Sequence, residues 1–125
     1  MAELAALGIV TKNMAEAVRF YRLLGVDVPD PEGDHLDATI PNGLLLMWDT
    51  VELIKRLDPE RQEPRGDRIA LAFDCGSPAG VDETHAKVVG AGFRSKEEPY
   101  DAFWGERFAT VLDPDENPVA LFAQL

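Results

Sequence analysis

Trp104-Gly105-Glu106-Arg107-Phe108-Ala109-Thr110-Val111-Leu112-Asp113-Pro114-Asp115-Glu116-Asn117-Pro118-Val119-Ala120-Leu121-Phe122 reads as a β-hairpin. Its first arm, Arg107 to Leu112, is rich in aromatic and β-branched residues, a turn of Asp, Pro and Asn follows, and a second apolar arm runs from Val119 to Ala123. The same pattern occurs earlier in weaker form, over Asp37-Ala38-Thr39-Ile40-Pro41-Asn42-Gly43-Leu44-Leu45-Leu46-Met47-Trp48. Ala38-Thr39-Ile40 matches Ala109-Thr110-Val111, and Asn42 to Trp48 matches Asn117 to Ala123. A chain that repeats itself is built from two related modules.

Working back from each hairpin predicts the rest. In the first half, residues 4–11 are a buried-strand candidate, and Asn13 caps a helix with Glu16 three residues on. Met14, Ala17, Val18, Tyr21 and Leu24 share one helical face, and Gly25 stops the helix. Val26 to Gly33 is turn-rich and holds at most a short edge strand; His35–Ile40 and Leu44–Asp49 form the hairpin. Val51 to Leu57 can make a short helical turn. In the second half, Arg68–Asp74 is a strand and Ser77-Pro78 starts a helix, whose inward face is Val81, Thr84, Val88 and Ala91. Phe93 to Glu98 is a further strand. Each half is thus strand, helix, then three strands. The expected organisation is one domain, 1–125, with module 1 at about 1–57, a breaker-rich connector at about 58–67 and module 2 at about 68–125.

Composition narrows the function. At 125 residues and 46% hydrophobic, the chain has enough apolar surface for a globular core. No apolar run is long enough to span a bilayer and no basic, apolar leader opens the chain, so no membrane role is expected. The single cysteine, Cys75, rules out an internal disulfide and fits the cytoplasm. The net charge is −11, from seven basic against twelve acidic residues through Arg65 and five against eleven after it. That field repels nucleic acid and attracts basic small molecules, or simply keeps the protein soluble. A glycine-rich phosphate loop, a Gly-x-Ser-x-Gly elbow and a paired-His metalloprotease motif are all missing from the sequence.

Two passages resemble the vicinal oxygen chelate superfamily of glyoxalases, bleomycin-resistance proteins and extradiol dioxygenases. Lys12-Asn13-Met14-Ala15-Glu16-Ala17-Val18-Arg19-Phe20-Tyr21-Arg22-Leu23-Leu24-Gly25 is similar to its opening strand-to-helix signature. Phe103 to Arg107, continued through Asp113-Pro114-Asp115-Glu116-Asn117, is similar to its closing one. The resemblance implies an α+β fold of two βαβββ modules, forming curved mixed sheets around a concave cavity, in a chain that pairs as a homodimer. It also implies up to four metal-ligand positions, which fall on Ala6, Leu45, Arg68 and Ala120. Three of these side chains cannot ligate and the fourth is a fixed cation. A one-residue slip onto Leu7, Leu44, Leu46, Val119 or Leu121 offers nothing better. His35, which begins a hairpin strand, and His85, within the second helix on the side away from the cavity, both read as surface residues rather than ligands. No metal and no other cofactor is therefore expected.

With those four positions facing the cavity, alternation adds Gly8, Val10, Asp37, Thr39, Met47, Ala70, Ala72, Phe108, Thr110 and Phe122 to its lining. Trp48, Phe103 and Trp104 sit at or near the rim, where rings can stack on planar or cationic ligands; Trp48 has core packing as its alternative. Tyr100 and Asp101 stand on the loop before Trp104 as gate or solvent-facing residues. Asp37 and Arg68 are the cavity's charges, free for ligand or paired with each other. The candidate ligand-binding residues are thus Asp37, Thr39, Met47, Trp48, Arg68, Phe103, Trp104, Phe108 and Phe122, with no catalytic residue among them. The expected function is metal-independent binding of an aromatic or cationic compound, such as an antibiotic held by sequestration. The alternatives are a glyoxalase-like lyase or dioxygenase-related enzyme with a non-standard or absent metal site, a metal-free enzyme using Asp37 or Arg68, and a dimer with a vestigial cavity.

Overall fold

A computed structural model describes residues 2–66 and 69–125, which fall into two compact units, residues 1–64 and 65–125. In the first unit, β1 (Ala6–Thr11) leads to α1 (Met14–Leu23), then β2 (His35–Thr39), β3 (Leu45–Thr50) and α2 (Val51–Leu57). The sheet order is β1-β3-β2, with β1 parallel and β2 antiparallel to β3. Asn13 caps α1 by accepting from the Glu16 amide at 3.1 Å. The helix then buries Met14, Ala17, Val18, Phe20 and Tyr21 against the sheet. Thr50 caps α2 in the same way, accepting from the Leu53 amide at 3.2 Å and donating to Asp34 at 3.0 Å.

The edge strand allowed for within Val26–Gly33 does not form. Pro29 and Pro31 remove two donors from that stretch, and Arg22 occupies the Val28 carbonyl with two hydrogen bonds, at 2.8 and 3.0 Å. Val26 and Val28 are buried without being paired into a sheet.

The second unit is β4 (Leu71–Asp74), α3 (Pro78–Gly90), β5 (Ser95–Asp101), β6 (Glu106–Leu112) and β7 (Pro118–Gln124), in sheet order β4-β7-β6-β5. The architecture is α+β, with two mixed sheets of three and four strands. Ser77 caps α3 and Pro78 opens it, as the sequence predicts. The helix buries Val81, His85 and Val88 against Ala109, Val111, Val119 and Leu121. The predicted hairpins hold their register: Thr39 faces Leu45 as Thr110 faces Ala120. Strand β4 starts later than expected, at Leu71, and Arg68 lies outside the described residues.

Candidate functional site

Each sheet has one face covered by its helix and one left open, and alternation assigns the residues between them. On the open face of the first sheet, the register lines up three rows across the strands: Ala6–Leu45–Thr39, Gly8–Met47–Asp37 and Val10–Asp49–His35. Asp37, Thr39 and Met47 therefore share this face. Trp48 does not. As the neighbour of Met47 it points the opposite way, fully buried, with its ring centroid 5.4 Å from that of Tyr21. It is a core residue rather than a rim one, because one step along a strand reverses the side chain.

The charged residues of this face include a histidine that meets two aspartates. His35 Nδ1 lies 2.5 Å from Asp49 Oδ1 and its Nε2 lies 3.4 Å from Asp37 Oδ1. The hydrogen bond to Asp49, helped by the charges of both aspartates, raises the imidazole above its usual pKa. Asp37 is thus engaged by His35, while its suggested partner Arg68 lies outside the described residues.

On the open face of the second sheet, Ala72, Ala120, Thr110 and Glu97 form one row, and Asp74, Phe122, Phe108 and Tyr100 the next. The β5–β6 turn brings Trp104 over this face. Gly105, at φ 92°, makes the reversal that an L side chain resists, and its amide donates to the Ala102 carbonyl. Trp104 meets Phe108 edge-on at 5.3 Å, Phe103 at 5.0 Å and Tyr100 at 6.3 Å, and Tyr100 meets Phe108 at 6.0 Å. The indole stays 47% exposed and Phe103 98% exposed. The Trp104 Nε1–H donates to Glu106 at 2.6 Å, and Gln124 donates to the other oxygen of that carboxylate at 3.1 Å. Thr110 donates its hydroxyl to Glu97 at 2.8 Å. Among the described residues, the donors to both glutamates are neutral.

Phe103, Trp104, Phe108 and Phe122 thus belong to the second unit, and Asp37, Thr39 and Met47 to the first. Glu97 and Glu106 are absent from the sequence-derived set. Their signal is Pro99 inside a strand, which marks a bulge, and the paired spacing of Trp104 with Glu106. His85, expected at the surface, is buried on the inner face of α3, with Nε2 2.8 Å from Ser95 Oγ and 3.2 Å from Glu98 Oε2. The tolerance of a polar ring there comes from those two partners. Cys75 is half-buried at the end of β4, its thiol pushed up by desolvation.

A divalent ion at the four positions implied by the resemblance would need nitrogen or carboxylate donors. Ala6, Leu45 and Ala120 provide none, and Ala72 is the β4 residue paired with Ala120. Thr39 and Thr110 flank Leu45 and Ala120, and the Thr110 hydroxyl is given to Glu97. His35 turns a different ring nitrogen to each of its aspartates, so the three groups do not converge on one point. Among the described residues no group of three His, Cys, Asp or Glu side chains could hold a metal ion. The residues present do not fit the group.

Comparison with solved structures gives full-length likeness at low identity. A glyoxalase/bleomycin resistance protein/dioxygenase family enzyme from Burkholderia phytofirmans PsJN is 20% identical, with 99% of this chain and 100% of that one covered at a TM-score of 0.86. A glyoxalase-related enzyme from Fulvimarina pelagi is 18% identical, with coverage of 99% and 89% and a TM-score of 0.87. Lactoylglutathione lyase from Agrobacterium tumefaciens is 15% identical, with coverage of 98% and 94% and a TM-score of 0.71. At such identities the likeness is one of fold. No curated protein gives a significant sequence match. Residues 3–121 match the glyoxalase/bleomycin resistance protein/dioxygenase superfamily, and the chain belongs to it.

Proposed function

We propose that this protein binds a small aromatic or cationic organic compound without a metal, taking it on the open face of its second sheet. The carrying observation is the Trp104 cluster: a half-exposed indole, framed edge-on by Phe103, Phe108 and Tyr100, and tied to an anionic Glu106. Indole faces attract cationic rings by ~0.5–2 kcal/mol, and a chain of net charge −11 favours their approach. Because Asp37 is held by His35, the carboxylates suited to a cation here are Glu97 and Glu106. Binding alone needs no reactive group, and sequestration of a basic antibiotic is one form it takes. The free thiol of Cys75 suits a cytoplasmic setting. A lyase reading needs donors at Ala6, Leu45 and Ala120, where the chain has none. We also propose that the chain works as a homodimer, since β1, β2 and β4 are sheet edges.

A thermal-shift screen of basic aromatic compounds against aromatic acids, at low and high salt, tests the reading. The bases should raise the melting temperature, less so at high salt. Stabilisation by acids alone, or by neither class, would contradict it.

A further inference from the structure

We infer that Glu97 is the specificity-determining residue of this aromatic face, selecting ligands that carry an ammonium or amidinium group beside an aromatic ring. The inference rests on the binding role proposed above and adds to it a ligand class and an anchoring residue.

The geometry begins with two irregularities in β5. Ser95 pairs with Val111, Glu97 with Thr110 and Tyr100 with Phe108, so the register shifts once before Glu97 and once after it. Simple alternation from Ser95, whose hydroxyl meets His85 on the helix side, would turn Glu97 toward the helix as well. The first shift reverses that and the second restores the original phase before Tyr100. Two bulges in one seven-residue edge strand thus exchange the faces of two neighbours, turning Glu97 onto the open face and Glu98 toward the helix, where it meets His85.

The place it is aimed at has a shape. Ala72 and Ala120, in the same row, leave a low floor beside the Phe122–Phe108–Tyr100 row. The buried Thr110 hydroxyl fixes one oxygen of Glu97 at 2.8 Å. Among the described residues the one group that hydrogen-bonds this carboxylate is the neutral Thr110 hydroxyl. A ring lying against Phe122 and Phe108 over the alanine floor would put a nitrogen one or two bonds off the ring beside Glu97. Charge-assisted hydrogen bonds of this kind are about twice as strong as neutral ones.

The test compares 1-naphthylmethylamine with its uncharged analogue 1-naphthylmethanol, titrated calorimetrically into three proteins. Wild type should bind the amine more tightly than the alcohol. Glu97→Gln, an isosteric change at an exposed position, should lose about tenfold for the amine and leave the alcohol within about twofold. Glu98→Gln removes the same charge on the opposite face and should leave both ligands as in wild type. Equal affinity of wild type for amine and alcohol, or equal losses in the two variants, would overturn the role of Glu97 while leaving aromatic binding standing. Absence of binding by either compound to wild type would remove the binding role and this inference together.

Discussion

His35 shows how one residue ties charge to stability. Its imidazolium bridges Asp49 on β3 and Asp37 on β2, and its folded pKa lies above the unfolded value of about 6.5. A group raised in this way contributes its full stabilisation below the unfolded pKa and loses it as pH rises through the folded one. The His35→Gln variant should therefore melt lower than wild type at pH 5.5, and the gap should close by pH 9. A pH-independent difference in melting temperature would mean the ring acts by packing alone. Legibility at this scale was uneven. Alternation placed Asp37, Thr39, Met47, Phe108 and Phe122 on open faces, whereas the partners of the charges came from register. Asp37 meets His35 because they sit two apart on one strand, on the same face of the sheet.

Among the elements, helix starts were the most readable, because caps are local chemistry: Asn13 and Ser77, both expected as caps, each satisfy an amide three residues on. Close approach was not readable. Gly80, in the first turn of α3, is so near the preceding loop that a Cβ would lie 2.2 Å from the Cys75 carbonyl oxygen. Gly80→Ala should cost about 2–3 kcal/mol through the displaced helix start. Gly8→Ala is the control, since its Cβ would meet only Met47 Cε at 3.8 Å. Urea denaturation of the two variants checks this, and equal midpoints would remove the clash from the account. The β5 bulges were hidden for a related reason. Pro99 warned of an irregular strand, but which residue is re-aimed depends on pairing with β6. Similarly, the weak strand after Gly25 failed because Arg22 and two prolines took its hydrogen-bonding groups.

For the whole molecule, the internal repeat carried most of the inference. It fixed two hairpins in corresponding register, and with the helix caps it predicted the order strand, helix, strands in each unit. It could not convey which side chains cluster, since Trp104 reaches Phe108 and Tyr100 through a turn with no counterpart in the first half. The edges carry a further expectation. Strand β5 is guarded by Pro99, its bulges and its charges, whereas the edge strand β1 carries neither proline nor charge. Light scattering at micromolar concentration should give twice the mass of the chain; a monomer throughout would refute the proposed dimer.

Metal-independent binding through the indole is most directly tested by calorimetric titration of 1-naphthylmethylamine into wild type and Trp104→Ala, each dialysed against EDTA. Wild type should bind after chelation, and Trp104→Ala should bind several-fold more weakly, in line with the ~0.5–2 kcal/mol of an indole–cation contact. Binding that vanishes with EDTA and returns with a divalent ion, or that is unchanged in Trp104→Ala, would contradict the account.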